Sequence, residues 1–543
     1  MPVKKILQKG TYVKMKKDLR KYFYVAASAA LLFGSAAVGI GFNGSNAKAA
    51  TKTVVYDGKN LKKVKATKSK FKLVIKKGVK KIPSEAFYDC ENIVSVSIPQ
   101  SVNSIGSYAF YGTDMNSITV NKKNKTFDSR SNCNAVIAKK SKTLVVGCKN
   151  TKIPKNISKI GENAFTKCTG LKKITIPANI KTIGKSSFQD CANLKSVSIA
   201  KGVTTISYAA FTMCESLETV KIPSSVKTIG ESAFNECYSL KKAEFSEGLQ
   251  KIDKVAFSNC IKLSEIKIPA SVKEIGSNAF VSCSSLQKIE VAAGNKVYDS
   301  RNNCNAIINT ADNRLEAACS TTVIPNDIKT IGSYAFITAP EKIDLPSSVT
   351  SLSDYAFANC GELVEITIPD SVKELGDGVF FVCDKLQKVK LPSGMTKIPE
   401  NFFYDCYSLK ELTIQSTVTE ISESAIAGCE GLEKIEVESG NTVYDSRDNC
   451  NAVIETKTNT LLTGCKNTII PKTVTTIADS AFYYRGDAKF TLEIPNSVTK
   501  ISEDAFQLDE ENVLITWNGK KYSDLETFYE AYEKVYPNDD EDY

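Results

Sequence analysis

The stretch Ile222-Pro223-Ser224-Ser225-Val226-Lys227-Thr228-Ile229-Gly230-Glu231-Ser232-Ala233-Phe234-Asn235-Glu236-Cys237-Tyr238-Ser239-Leu240 decides how the chain is read. Twenty-three residues earlier, Ile199, Ile206, Ala210-Phe211, Cys214 and Leu217 stand in the same register, and 23 later come Ala256-Phe257, Cys260 and Leu263. The phenylalanine position recurs from Phe87 to Phe506, mostly at intervals of 23, with three intervals of 55 or 56. A fixed period of this length is the mark of a solenoid, whose units cannot each bury an apolar face alone.

A general unit reads Ile-Pro-x-x-Val-x-x-Ile-Gly-x-x-Ala-Phe-x-x-Cys-x-x-Leu-x-x-Ile-x-Ile. Its closing Leu-x-x-Ile-x-Ile alternates with period two, which predicts a short strand such as Leu171 to Ile176 or Leu263 to Ile268. Proline after the strand cannot donate to a ladder and marks its end. The glycine of Ile-Gly is expected to permit a tight turn. The Ala-Phe pair is expected to stack rings in a column between closely spaced coils. One outward residue per strand then lines a face: Thr175, Ser198, Lys221, Glu244, Lys267 and Glu290. Strands about 4.8 Å apart make these direct neighbours. Their Lys-Glu alternation reads first as charge compensation, and the same face is the candidate binding surface.

The three long intervals carry one insertion used three times, near residues 121–152, 292–323 and 438–469. Its core is Phe127-Asp128-Ser129-Arg130 to Cys133, Tyr298-Asp299-Ser300-Arg301 to Cys304, and Tyr444-Asp445-Ser446-Arg447 to Cys450. A second apolar run follows each, ending at Cys148, Cys319 or Cys465. This predicts an extra coil bearing a β-hairpin. The repeated Asp and Arg predict a local contact or Asx-turn holding the insertion.

The repeats resemble the BspA-like leucine-rich repeat surface proteins of bacteria, over about residues 80 to 510. The resemblance implies a leucine-rich repeat α/β solenoid of 23-residue units with short parallel strands, carrying the three β-hairpin insertions. It also implies adhesion or binding, with an extracellular protein or glycan as partner. The chain is therefore expected to be a secreted or cell-surface binding protein; the alternative is a structural, self-associating envelope protein without a specific ligand.

The flanks fit that setting. Residues 1–49 read as a signal peptide: basic residues to Lys21, an apolar run from Tyr22 to Phe42, then Ala47-Lys48-Ala49 as a cleavage site. The mature chain is expected to hold no integral membrane segment. Residues 50–79 form a Lys-rich N-terminal cap. Residues 511–543 read as a hairpin with an Asn518-Gly519 turn, a helix opened by the Ser523 to Glu526 capping box, and an acidic tail.

The net charge is +11, but residues 1–49 hold nine bases and one acid, so residues 50–543 carry only +3. A nearly neutral body argues against a nucleic-acid partner. The chain has no histidine, which removes Ser-His-Asp and Cys-His catalysis and imidazole metal ligands. No Cys-x-x-Cys occurs, and the Asp/Asn clusters lack the dense acidic loop of a calcium site. We expect no enzyme activity, no metal and no cofactor. All 17 cysteines fall in the pattern, eleven in the repeat slot and six in the insertions. Those of the repeat slot read as small buried hydrophobes with free thiols. The pairs Cys133–Cys148, Cys304–Cys319 and Cys450–Cys465 stay open between disulfide and free thiol.

Overall fold

A computed structural model describes residues 54–57, 60–64, 70–422, 424–484, 490–508 and 513–536. Residues 1–49, read above as a signal peptide, most of the 50–70 stretch, the repeat-slot residues Arg485 and Asp509, and residues 537–543 lie outside the described residues. Two compact units are delimited, and every described residue belongs to the one formed by Val54–Ala66 and Lys70–Tyr543.

Each coil contributes two parallel strands. The long strands Lys173–Ile176, Ser196–Ile199, Thr219–Ile222, Lys242–Phe245, Glu265–Ile268 and Lys288–Val291 stack into one six-stranded sheet. Two-residue strands, among them Thr182–Ile183, Thr205–Ile206 and Thr228–Ile229, form a second ladder. Between them the Ala-Phe turns make a third set of inter-coil bonds, with Phe188 N donating to Ala210 O at 2.8 Å and Phe211 N to Ala233 O at 2.7 Å. Coils between insertions thus hand backbone hydrogen bonds to the next on three sides, satisfying groups that burial would otherwise leave unpaired. The long strands begin at Phe71–Val74, in a separate three-stranded parallel sheet and within the stretch expected as the N-terminal cap.

The glycine of Ile-Gly has a different role from the one expected. Gly230 is not in the left-handed region; a Cβ there would lie 2.7 Å from Ser207 C and 2.8 Å from Tyr208 N. It is required because the preceding coil's backbone passes so close. The positive φ falls instead on Ser232 (57°) and Glu236 (59°), and the same two positions recur along the solenoid with varied residues, Asn163, Asn259 and Gly428 among them.

Phenylalanine rings stack as expected, with centroids 4.8 to 5.7 Å apart, but in four runs: Phe87–Phe110, Phe165 to Phe280, Phe336 to Phe403, and Phe482–Phe506. The insertions make the breaks, and Ile426 ends the third run. Each insertion carries the expected β-hairpin and extends it with a third antiparallel strand. In the first copy Phe127–Asp128, Val136–Ala138 and Thr143–Val146 pair in order, and the last then pairs in parallel with Lys159–Ile160. Its central strand is buried on both faces: Val136 packs with the preceding core, and Ala135 and Ile137 with the following one. The insertions therefore divide one core into four segments.

At the C-terminal end, Val513–Trp517 pairs in parallel with Phe490–Ile494 and turns back through Asn518 and Gly519, both at positive φ, into Lys520–Tyr522. Helix Leu525–Glu533, the one α-helix among the described residues, buries Phe528 and Tyr532 against Trp517. Its N-cap is Asp524, one residue later than the capping box predicted, because the Asp524 carboxylate accepts from Thr527 N at 2.7 Å.

Candidate binding surfaces

The six predicted face residues lie together on the six-stranded sheet. Thr175 is registered on Ser198, Lys221 on Glu244 and Lys267 on Glu290. The inward partners at alternate positions, such as Ile174, Val220 and Ile266, are buried, which fixes these side chains outward. Lys267 pairs with Glu290 at 2.6 Å, and Lys221 with Glu244 at 3.7 Å. Lys242 on the neighbouring row approaches Glu244 more closely, at 2.9 Å. Lys242 first, then Lys221, holds the Glu244 carboxyl below its usual range, and Lys267 does the same for Glu290. Solvent screens exposed pairs of this kind, so each contributes little to stability. They set the charge pattern of the face and do little to hold the fold. On the other half of the sheet Thr175, Ser196, Ser198 and Thr219 set small hydroxyls beside the exposed Lys173.

The insertions present a second surface. In each copy Asp and Arg form the expected contact: Arg130 Nε donates to Asp128 Oδ1 at 2.8 Å, Arg301 Nε to Asp299 Oδ1 at 2.9 Å, and Arg447 Nε to Asp445 Oδ1 at 2.8 Å. The arginine backbone N also donates to the same carboxylate, closing an Asx-turn. The serine between them donates to Ala135, Ala306 or Ala452 O. These residues are occupied in holding the loop.

All seventeen cysteines are buried free thiols. Column sulfurs donate to the phenylalanine carbonyl of the preceding coil, Cys214 to Phe188 O at 3.2 Å and Cys383 to Phe357 O at 3.1 Å among others. Burial pushes Cys191 and Cys383 up to about 12. The insertion pairs do not face one another. Cys133 belongs to the core segment after its insertion and Cys148 to the one before, and Cys304/Cys319 and Cys450/Cys465 divide in the same way. A sheet buried on both faces sends its two cysteines to opposite sides. Among the described residues no cluster of three or more Cys, Asp or Glu is arranged to hold a metal ion, and no helix is long and apolar enough to cross a membrane.

With this geometry the sequence matches the family model described as a BspA type leucine rich repeat region, over residues 65–140, 145–246, 204–339, 329–452 and 455–530. The chain belongs to that family. Among solved structures, a leucine-rich cell surface protein of Faecalibacterium prausnitzii is 24% identical, over 85% of this chain and 97% of its own, with a TM-score of 0.42. A leucine-rich repeat protein of Bacteroides ovatus is 22% identical, over 73% and 95%, with a TM-score of 0.39. The pneumococcal vaccine antigen PcpA is 16% identical, over 88% and 89%, with a TM-score of 0.32. No curated protein matches significantly.

The BspA-type solenoid also holds an anchor that the sequence reading passed over. Asn295 Nδ2 donates to Pro269 O and Val272 O, both at 3.0 Å, while its Oδ1 accepts from Val297 N and Tyr298 N, both at 2.9 Å. Asn124 and Asn441 do the same in the other two insertions. Four bonds from one side chain tie each insertion to the coil before it. The signal was present, since an Asn stands three residues before the aromatic of each Asp-Ser-Arg motif.

Proposed function

We propose that this BspA-type chain is a binding protein, exported by a bacterium and displayed at or released from its surface, whose partner is an extracellular protein or glycan. The observation that carries the reading is the six-stranded parallel face, where two outward rows stand in fixed register above a continuous buried core. Such a face does not rearrange on contact, so little ordering entropy opposes binding. Its charges are exposed and only weakly paired, and a partner can displace those pairings at small cost. The match to a bacterial repeat family and the likeness to a leucine-rich cell surface protein support the setting.

The test is binding of the purified chain to a panel of matrix proteins and glycans, compared with the double variant Lys221→Glu, Lys267→Glu. Saturable binding by the monomer, altered by the charge reversal, is expected. Assembly that rises with concentration and needs no ligand would favour the structural reading instead. Turnover of a polymer substrate would make the chain an enzyme and overturn the proposal.

A further inference from the structure

The near neutrality of residues 50–543 conceals a division along the chain. Residues 50–200 hold 29 bases and eight acids, a net charge of +21, whereas residues 201–543 hold 33 bases and 51 acids, a net charge of −18. The three insertions show where the positive charge concentrates. They share one fold, yet the first carries nine bases and one acid, the second three and three, and the third three and four. Structure alone does not need the lysines, because two of the three copies do without them.

Lys122, Lys123, Lys125, Lys140, Lys142 and Lys152 of the first insertion are exposed, and among the described residues none enters an ion pair. The backbone sets Lys125, Lys142, Lys159 and Lys181 in sequence along one edge. Lys139 N donates to Thr126 O at 3.0 Å, Ser158 N to Lys142 O at 2.9 Å, and Lys181 N to Ser158 O at 2.8 Å. Lysines therefore stand on or beside successive rungs, about 4.8 Å apart, from Lys125 through Lys142 to Lys159 and Lys181.

One of these lysines is placed against local preference. Lys142 holds a φ of 49°, where Asn313 and Asn459 stand in the other copies at 53° and 54°. Those asparagines accept from the motif arginine, Arg301 Nη1 at 2.8 Å and Arg447 Nη1 at 2.9 Å. Lys142 cannot accept, and it tolerates the left-handed region less well than Asn. A residue that breaks a local rule without a structural gain marks a functional position.

We propose that the first insertion and the short-strand edge beside it bind a linear anionic polysaccharide. Lysine ammonium groups in a row suit a chain of sulfate, carboxylate or phosphate charges read as a line, with affinity drawn from counterion release. The insertion's exposed positions carry no aromatic platform on which nucleic-acid bases would stack, and Lys152 replaces the exposed Val323 and Ile469 of the other copies. The proposal rests on the chain being an extracellular binding protein, and names a second surface for that role.

The experiment measures binding of the purified chain to immobilised heparin across a salt series, with polyphosphate, uncharged dextran and duplex DNA as competitors. The variant Lys122→Ser, Lys125→Thr, Lys140→Ala, Lys142→Asn takes each new residue from the second or third copy, so the insertion keeps its fold; unchanged thermal unfolding verifies this. The variant should bind roughly tenfold or more weakly at about 0.1 M salt, with the slope of log affinity against log salt reduced by up to about 4. Competition by polyphosphate as well as heparin would assign the recognition to charge spacing, and competition by heparin alone to sulfated sugar; both support the site. Equal binding by the variant, stronger competition by DNA than by heparin, or a variant that loses only self-association would each overturn it. Loss of heparin binding in the wild type with matrix-panel binding intact would refute this site and leave the proposed function standing.

Discussion

Raising the pH from neutral to about 9.5 should unfold the solenoid in segments, and the cysteine column is the reason. Nine column thiols (Cys168, Cys191, Cys214, Cys237, Cys260, Cys360, Cys383, Cys406 and Cys429) are fully or almost fully buried, and desolvation holds each pKa above its ordinary value. A folded pKa raised above the unfolded one gives stability that is complete below the unfolded pKa and is lost as pH climbs toward the folded one. The unfolded thiol titrates near 8.5, so at pH about 9.5 each column thiol has lost about 1.4 kcal/mol of its contribution. Five of the nine lie in the segment around Phe165–Phe280 and four in that around Phe336–Phe403. The losses are then about 7 and about 6 kcal/mol, comparable with the whole stability of an ordinary domain. Denaturant titration under reducing conditions, followed by circular dichroism at pH 7, 8.5 and 9.5, reads the slope, and hydrogen exchange assigns it to segments. The segment around Phe87–Phe110, with Cys90 and Cys148 alone, should outlast the two central ones. Serine at Cys191, Cys214 and Cys237 keeps a donor for the carbonyls and should flatten the profile by about three protons. A stability unchanged between pH 7 and 9.5, or a serine variant with the parent slope, would refute the argument.

Phe234→Ala removes a ring stacked at 5.2 and 5.1 Å on Phe211 and Phe257 and should cost about 3–5 kcal/mol, read by denaturant unfolding at neutral pH. Gly230→Ala should cost about 1–3 kcal/mol by forcing a Cβ into the backbone of the preceding coil, whereas Gly361→Ala, with open space at its Cβ, should cost less than 1 kcal/mol. Asn295→Ala removes four hydrogen bonds and should destabilise by roughly 3 kcal/mol, with exchange protection lost first at Val297 and Tyr298. Lys142→Asn alone should stabilise the first insertion by roughly 0.5–2 kcal/mol, through a gained acceptor for Arg130 and a better fit to positive φ, visible as a higher melting temperature.

Periodicity made the solenoid legible because each coil repeats the same burial demands: Ile222, Ile229, Phe234, Cys237 and Leu240 each have equivalents one coil away. The outward rows followed from the same alternation, since fixing Ile266 and Ile268 inward leaves Lys267 no other direction. What escaped were properties that no single coil contains. The partition of the core depends on Ala135-Val136-Ile137 being buried on both faces, and an unbroken apolar run carries no period to announce it. The role of Gly230 depends on the distance to the preceding coil, to which backbone sequence is silent. The facing of Cys133 and Cys148 was left open for the same cause, because a bulge in the register between Leu144 and Val146 decides it.

Net charge hides a division along the chain, and that division bears on function. A sum over residues 50–543 treats charges as if they shared one location, while a solenoid spreads them along its coils in chain order. Screening limits exposed charges to neighbours within about 8–10 Å, roughly two coils. The acids beyond residue 201 therefore do not neutralise Lys125 or Lys142 at the first insertion, and the local field there is that of a polycation. In a repeat protein the quantity that speaks to partners is the charge of a window a few coils wide. By that measure the three insertions, alike in backbone, are three different surfaces, and the first is the one shaped for an anion.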